Sequence, residues 1–143
     1  MGCMPIAPGF LRRDTGAMPA SHASAKVFLA EDSTEIRQRI AKLLTDAAMT
    51  VVGESPTVEG AIAGILASHP DVVVLDVQLE RGPGLAVLQA VRKAAPSIAF
   101  VVLSNHVGDG YRKLYLREGA AHFLDKSTEF DQLAKWVAQH ALH

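Results

Sequence analysis

Residues 71–83 read DVVVLDVQLERGP, and the fold turns on how this stretch is taken. Val72 to Leu75 are four consecutive apolar residues that run into a carboxylate at Asp76, then into a turn holding Gly82, Pro83 and Gly84. A short apolar run bounded by turn residues is the pattern of a strand buried on both faces. A charge at its end is costly unless another group compensates it. The compensating groups must come from elsewhere in the chain, brought to Asp76 by the fold.

Outward from that strand the same alternation repeats on both sides. Apolar runs alternate with helical periods: KVFLA (26–30) with STEIRQRIAKLLTDAA (33–48), TVVGE (50–54) with TVEGAIAGILASH (57–69), and DVVVL (71–75) with GLAVLQAVRKAA (84–95). Then come IAFVVL (98–103) with GDGYRKLYLREG (108–119), and AHFL (121–124) with STEFDQLAKWVAQHAL (127–142). The helical readings rest on spacing: Ile36, Ile40, Leu43, Leu44 and Ala47 share one face, as do Val58, Ala61, Ile62, Ile65 and Leu66. Ser33 and Thr57 stand where N-caps belong. Five βα units predict a parallel sheet with helices on both faces, joined by right-handed crossovers, and the flavodoxin-like doubly wound strand order 2-1-3-4-5.

With 143 residues, 49% of them hydrophobic and 20% charged, the chain has the length and composition of one α/β domain with its own core. Residues 1–24 mix Gly, Pro, Ala and Ser without an apolar period and read as a flexible tail; residues 25–143 form the domain. A net charge of −1 gives no general attraction to nucleic acid or to an anionic membrane. The single cysteine, Cys3, cannot form an internal disulfide, and no apolar run approaches the length of a membrane span, so a cytoplasmic location is expected. Gly2 does not open a myristoylation signal, because Ile6 stands where Ser or Thr is required.

In open sheets of this kind ligands sit outside the carboxyl ends of the strands, near the point where strand order reverses. That rim can be read directly from the sequence. Strand one ends in Glu31-Asp32, strand three in Asp76, strand four in Ser104 and strand five in Lys126. Three carboxylates at close range do not all stay ionised without a cation. Lys126 supplies one positive charge, and hard oxygen ligands suit Mg²⁺ for the remainder. A carboxylate neutralised in this way, with a hydroxyl opposite, is suited to accept a phosphoryl group: Asp76 as nucleophile, Lys126 on the phosphoryl oxygens, Ser104 donating a hydrogen bond.

These residues, with Gly84 and Leu85 of GPGLAVL and Phe123 three residues before Lys126, resemble the receiver domain of two-component response regulators, the CheY-like superfamily, over residues 26 to about 142. The resemblance implies that Glu31, Asp32, Asp76 and Gln78 hold Mg²⁺, that Asp76 takes a phosphoryl group from a histidine kinase or histidine phosphotransfer protein, and that Ser104 and Phe123 form the switch. It implies no enzymatic activity beyond self-catalysed phosphorylation and dephosphorylation. Gln78 and His106, two residues beyond Asp76 and Ser104, are expected to tune the lifetime of the phosphoryl group. Three positions depart from the family's usual pattern: Glu80 in place of a proline, predicting a looser loop; Asn105 in place of a small residue, narrowing access to Asp76; and Ser127 in place of a proline after the lysine.

Other readings stay beside this one. The alternative for Asp32 is a helix N-cap and nothing more, and for Phe123 an ordinary core aromatic rather than a switch. An aspartyl-phosphate phosphatase would carry a second Asp where Gln78 stands, and a flavin-binding carrier would need a hydroxyl-rich loop where AEDSTE is acidic. The chain ends soon after the fifth helical period, which leads to the expectation of a stand-alone receiver; the receiver of a larger DNA-binding regulator would read the same. YRKLYLRE (111–118) reads as a solvated helix face rather than a nucleic-acid surface. Trp136 falls roughly 120° from the stripe of Phe130, Leu133, Ala134, Val137 and Ala141, so it is expected to face solvent and, with Tyr111 and Tyr115, to form a partner or homodimer interface on the face made by the fourth helix, fifth strand and fifth helix.

Overall fold

A computed structural model of the chain describes residues 25–105 and 109–141. The apolar run of DVVVLD becomes β3 (Val72–Asp76), buried at every position. It is buried because it lies mid-sheet: β1 (Lys26–Ala30) pairs on one side and β4 (Ala99–Ser104) on the other. β2 (Thr50–Ser55) and β5 (His122–Asp125) close the two edges, all pairings are parallel, and the order is β2-β1-β3-β4-β5. The expected order and the doubly wound α/β architecture are therefore observed.

The connecting helices are α1 (Thr34–Asp46), α2 (Val58–Ser68), α3 (Gly84–Ala94), α4 (Asp109–Arg117) and α5 (Leu133–Ala141). Side chains alternate along each strand, so two cores form. Phe28, Ala30, Val73, Leu75, Phe100 and Val102 face α2, α3 and α4, while Val27, Leu29, Val72, Val74, Val101 and Leu103 face α1 and α5. Ser33 and Thr57 cap α1 and α2, accepting from the backbone N–H groups of Ile36 and Gly60. The Phe28 ring lies in a slot made by two glycines: a Cβ on Gly53 of β2 or Gly64 of α2 would come within 2.7 or 2.6 Å of it. No described helix is long and apolar enough to cross a membrane.

Two local expectations are corrected. Glu80 was expected to loosen the loop after β3, but the chain there folds into an antiparallel ribbon pairing Gln78–Leu79 with Gly82–Pro83. Arg81 takes the left-handed conformation at its tip (φ 67), and the Glu80 N–H bonds the Pro56 carbonyl at 2.9 Å. Val77 and Leu79 of this segment are buried, so backbone pairing and burial give the loop regular structure without the proline. The fifth helix was expected from Ser127, yet α5 begins at Leu133 after a 3₁₀ turn, Phe130–Gln132. Asp125 explains the delay: its Oδ1 accepts from both the N–H (2.8 Å) and the hydroxyl (2.6 Å) of Ser127, a side-chain turn that competes with helix.

Candidate functional site

Parallel register brings the strand ends to one rim: Ala30 pairs with Leu75, Asp76 with Leu103, and Ser104 with Asp125. Glu31 continues β1 by donating its N–H to the Ser55 carbonyl at 3.1 Å. Lys126 likewise continues β5, its N–H on the Ser104 carbonyl at 2.9 Å. Both side chains consequently turn over the end of β3, where Asp76 waits.

The Lys126 ammonium stands 2.8 Å from Glu31 Oε1 and 3.1 Å from Asp76 Oδ2, and all three side chains are less than a tenth exposed. The other Glu31 oxygen, Oε2, accepts the Ser33 N–H at 3.1 Å, and Asp76 Oδ1 accepts the Gln78 N–H at 3.3 Å. Gly84, at the start of α3, lies so close that a Cβ there would overlap the Asp76 carbonyl oxygen. Glu31, Asp32, Asp76, Gln78, Asn105 and Lys126 line an open cleft of about 330 Å³. Ser104 is fully buried at the end of β4, and Asn105 beside it reaches the cleft wall.

Burial dominates the electrostatics. It pushes the Glu31 carboxyl up to about 7, against the pull of Lys126 and the Ser33 N–H. Asp76 is raised by the same cause, opposed chiefly by the Lys126 charge. Burial alone would lower Lys126, but its hydrogen bond to Glu31 and the Asp76 charge outweigh that and hold it above its ordinary value. Near neutral pH the site therefore has one firmly held cation and a carboxyl on the edge of releasing its proton, a state that a second cation would complete.

The donor set fits Mg²⁺. Glu31, Asp32 and Asp76 each offer a carboxylate oxygen, these atoms all lie within 4.8 Å of one another, and Asp32 is exposed to incoming solvent. Oxygen-only donors at an open position suit a small hard cation that keeps part of its hydration shell.

Other candidates fall differently. Phe123 is buried, its ring tilted against Tyr115 at 5.8 Å with the Arg112 guanidinium 5.4 Å over its face. His106 lies outside the described residues. Tyr111 is 42% exposed, as expected of a surface tyrosine on α4. Tyr115 is corrected: at 1% exposure it cannot contribute to an interface, and its hydroxyl instead donates to the Val77 carbonyl at 3.3 Å. Four residues along a helix is about 400°, so the two rings differ by roughly 40° in direction and by one turn along the axis, and it is Tyr115 that packs against Phe123.

Trp136 is also corrected. It does not stand in solvent but lies half-buried against the edge strand, stacked on His122 with ring centroids 3.9 Å apart and planes at 31°. A broad ring on the flank of α5 covers more apolar area by folding onto β5 than by projecting outward. Arg37 is a residue the sequence reading missed. From one turn into α1 it donates to the Glu31 carbonyl at 2.7 Å and pairs with Glu54 at 3.1 Å, clamping the backbone that presents the acidic pair.

Comparison with known proteins agrees with this geometry. Residues 27–138 match the response regulator receiver domain family. The chain is 32% identical over 113 residues to the DNA-binding transcriptional activator DevR/DosR of Mycobacterium tuberculosis, a match covering 78% of this chain and 52% of that protein. It is 36% identical over 90 residues to protein-glutamate methylesterase/protein-glutamine glutaminase 2 of Cereibacter sphaeroides, covering 62% of this chain and 24% of that one. The BeF3-activated N-terminal receiver domain of Klebsiella pneumoniae RstA superposes with a TM-score of 0.75 at 27% identity, covering 82% of this chain and 99% of that domain. The chain thus spans about half the length, or less, of these curated relatives, and what it shares with them is one domain. The β2-β1-β3-β4-β5 sheet, together with the match over residues 27–138, makes this chain a member of the response regulator receiver domain family.

Proposed function

We propose that the domain accepts a phosphoryl group on Asp76 from a phosphohistidine of a histidine kinase or histidine phosphotransfer protein, and signals through its α4-β5-α5 face. The observation that carries this is the placement of Asp76: a carboxylate at the end of the central buried strand, on the floor of an open cleft, paired with Lys126 at 3.1 Å. Its environment holds it ready without covering it.

Glu31, Asp32 and Asp76, with Gln78 on the cleft wall, would hold Mg²⁺, which when bound neutralises charge on phosphoryl oxygens. A carboxylate oxygen of Asp76 attacks phosphorus; the O–P bond forms as the N–P bond of the phosphohistidine breaks, and the donor imidazole keeps the electron pair. Lys126 already sits between Glu31 and Asp76, so it meets a new phosphoryl oxygen with little reorganisation. Ser104 supplies the hydroxyl at the end of β4, and its movement toward the phosphoryl group frees Phe123 to shift. Loss of the group is a separate hydrolysis: water attacks phosphorus, the O–P bond to Asp76 breaks, and phosphate leaves as the carboxylate is restored; the exposed Gln78 side chain is assigned the role of slowing this step.

The output surface carries Tyr111 and Leu116, the most exposed large apolar side chains among the described residues, beside Arg112, Lys113 and Arg117. Its target is a protein, either a separate partner or a second copy. DNA-binding output belongs to relatives such as DevR/DosR. Incubation with acetyl phosphate and Mg²⁺, followed by intact mass, tests the central claim. One phosphoryl mass is expected on the wild type, none on Asp76→Asn, and none without Mg²⁺; equal labelling of Asp76→Asn would sink the assignment.

A further inference from the structure

Tyr115 reaches Asp76 through a single peptide unit. Its hydroxyl donates to the Val77 carbonyl oxygen at 3.3 Å, and the same oxygen accepts the Gly84 N–H at 2.7 Å. The opposite end of that peptide is the Gln78 N–H, which donates to Asp76 Oδ1 at 3.3 Å. One peptide plane is therefore held at its carbonyl by α4 and α3 and at its N–H by the reacting carboxylate. Tilting the plane turns the N–H away from Oδ1, and bonds in series polarise one another, so engaging the carbonyl strengthens the donor that holds Asp76.

The ring of Tyr115 meets a second functional group. It packs against Phe123 with centroids 5.8 Å apart and planes at 56°, a tilted aromatic contact. Packing alone would be served by Phe at this position. A buried hydroxyl costs free energy unless it is bonded, and here it donates to the carbonyl of the residue that follows the phosphoacceptor, with the Leu85 N–H as a second backbone partner. Burial pushes the phenol up to about 12, so it remains a donor across the working pH range.

We infer that Tyr115 is a positioning residue for Asp76, acting through the Val77–Gln78 peptide, and that its ring makes it the direct link from that peptide to Phe123. This rests on Asp76 being the phosphoacceptor. Both hydrogen bonds of the relay are long, at 3.3 Å, so a small displacement of α4 changes the hold on the carboxylate, and a change at the carboxylate reaches α4 by the same path.

Tyr115→Phe removes the hydroxyl and keeps the ring. Two readouts are compared with Ile65→Val, which trims the same core without touching the relay. In unphosphorylated protein, amide hydrogen exchange at Gln78 and Gly84 should quicken roughly tenfold in Tyr115→Phe, the effect of one lost hydrogen bond, and stay at the wild-type rate in Ile65→Val. Phosphorylation by acetyl phosphate should slow several-fold in Tyr115→Phe alone. Wild-type exchange in Tyr115→Phe, equal quickening in Ile65→Val, or loss of the folded state in Tyr115→Phe would overturn the inference, the last by making the hydroxyl a general prop of the fold. If the wild type takes no phosphoryl group, the reading of Asp76 fails, while the exchange comparison still decides the relay.

Discussion

Lys126→Met removes an ammonium that two buried carboxylates share. At an effective dielectric near 20, a unit pair about 3 Å apart is worth roughly 5 kcal/mol, and the desolvation recovered on losing the ammonium cancels a large part of the two pairs. Measured losses on breaking buried pairs run at about 3–5 kcal/mol. Proton uptake sets an independent ceiling. Neutralising one carboxylate of ordinary pKa near 4 at pH 8 costs about 1.4 kcal/mol per pH unit, or roughly 5–6 kcal/mol, but only about 2 kcal/mol at pH 5.5. The sign follows from linkage. Without Lys126 the Glu31 and Asp76 carboxyls, already raised, rise further, and a raised carboxyl contributes stability that is present at low pH and lost as pH rises through its folded value.

The expected result in metal-free urea denaturation is therefore a loss of about 3–5 kcal/mol at pH 8, falling below about 2 kcal/mol at pH 5.5. Saturating Mg²⁺ should restore part of the loss at pH 8, because a cation that binds the folded site replaces the missing charge. A loss under about 1 kcal/mol at pH 8, or an equal loss at both pH values, would refute the shared-ammonium reasoning.

Four further outcomes follow from the same structure. Gly84→Ala should cost about 1–3 kcal/mol and slow phosphorylation, since its Cβ meets the Asp76 carbonyl; wild-type stability and rate together would contradict the close approach. The same exchange should have opposite signs within two helices. Gly64→Ala drives a methyl into the Phe28 ring and should destabilise by about 1–3 kcal/mol, whereas Gly110→Ala meets nothing within 4 Å and should stabilise by up to about 1 kcal/mol, both read by thermal melting. For pH, Glu31 moves from its ordinary 4.5 to about 7 on folding, so its contribution to metal-free stability is full below pH 4.5 and lost as pH rises through 7; urea midpoints across that window measure it, and a flat profile counts against the buried carboxyl.

How much of this could be read without coordinates depends on how local each signal is. β3 announced itself because four apolar residues and a terminal carboxylate lie within five positions, and burial on both faces is written into that run. Ser33 and Thr57 were legible for the same reason, since a cap and the N–H it binds are three residues apart. The end of α5 nearest the site was not, because Asp125 diverts Ser127 into a side-chain turn that a helical period does not register.

The interface residues mark where local pattern stops. Tyr111 and Tyr115 share one helix and one spacing class, yet one is 42% exposed and the other 1%, because Tyr115 meets Phe123 and the Val77 carbonyl from other elements. Trp136 was placed by angle alone, while its position comes from His122, fourteen residues earlier on a different element. Arg37 escaped notice because its partners, the Glu31 carbonyl and Glu54, meet only when β1 and β2 pair.

By itself the sequence determined the parallel sheet, its strand order and which chemical groups arrive at its rim, because periodicity dictates which faces are buried and strand ends dictate which residues follow. Only the tertiary structure decided that Lys126 bridges Glu31 and Asp76, that Glu31 sits near its own titration point, and that a tyrosine from α4 holds the peptide beside Asp76. Those are distances of about 3 Å between residues 38 to 95 positions apart. They are set by register and helix rotation, which the pattern of any one segment does not contain.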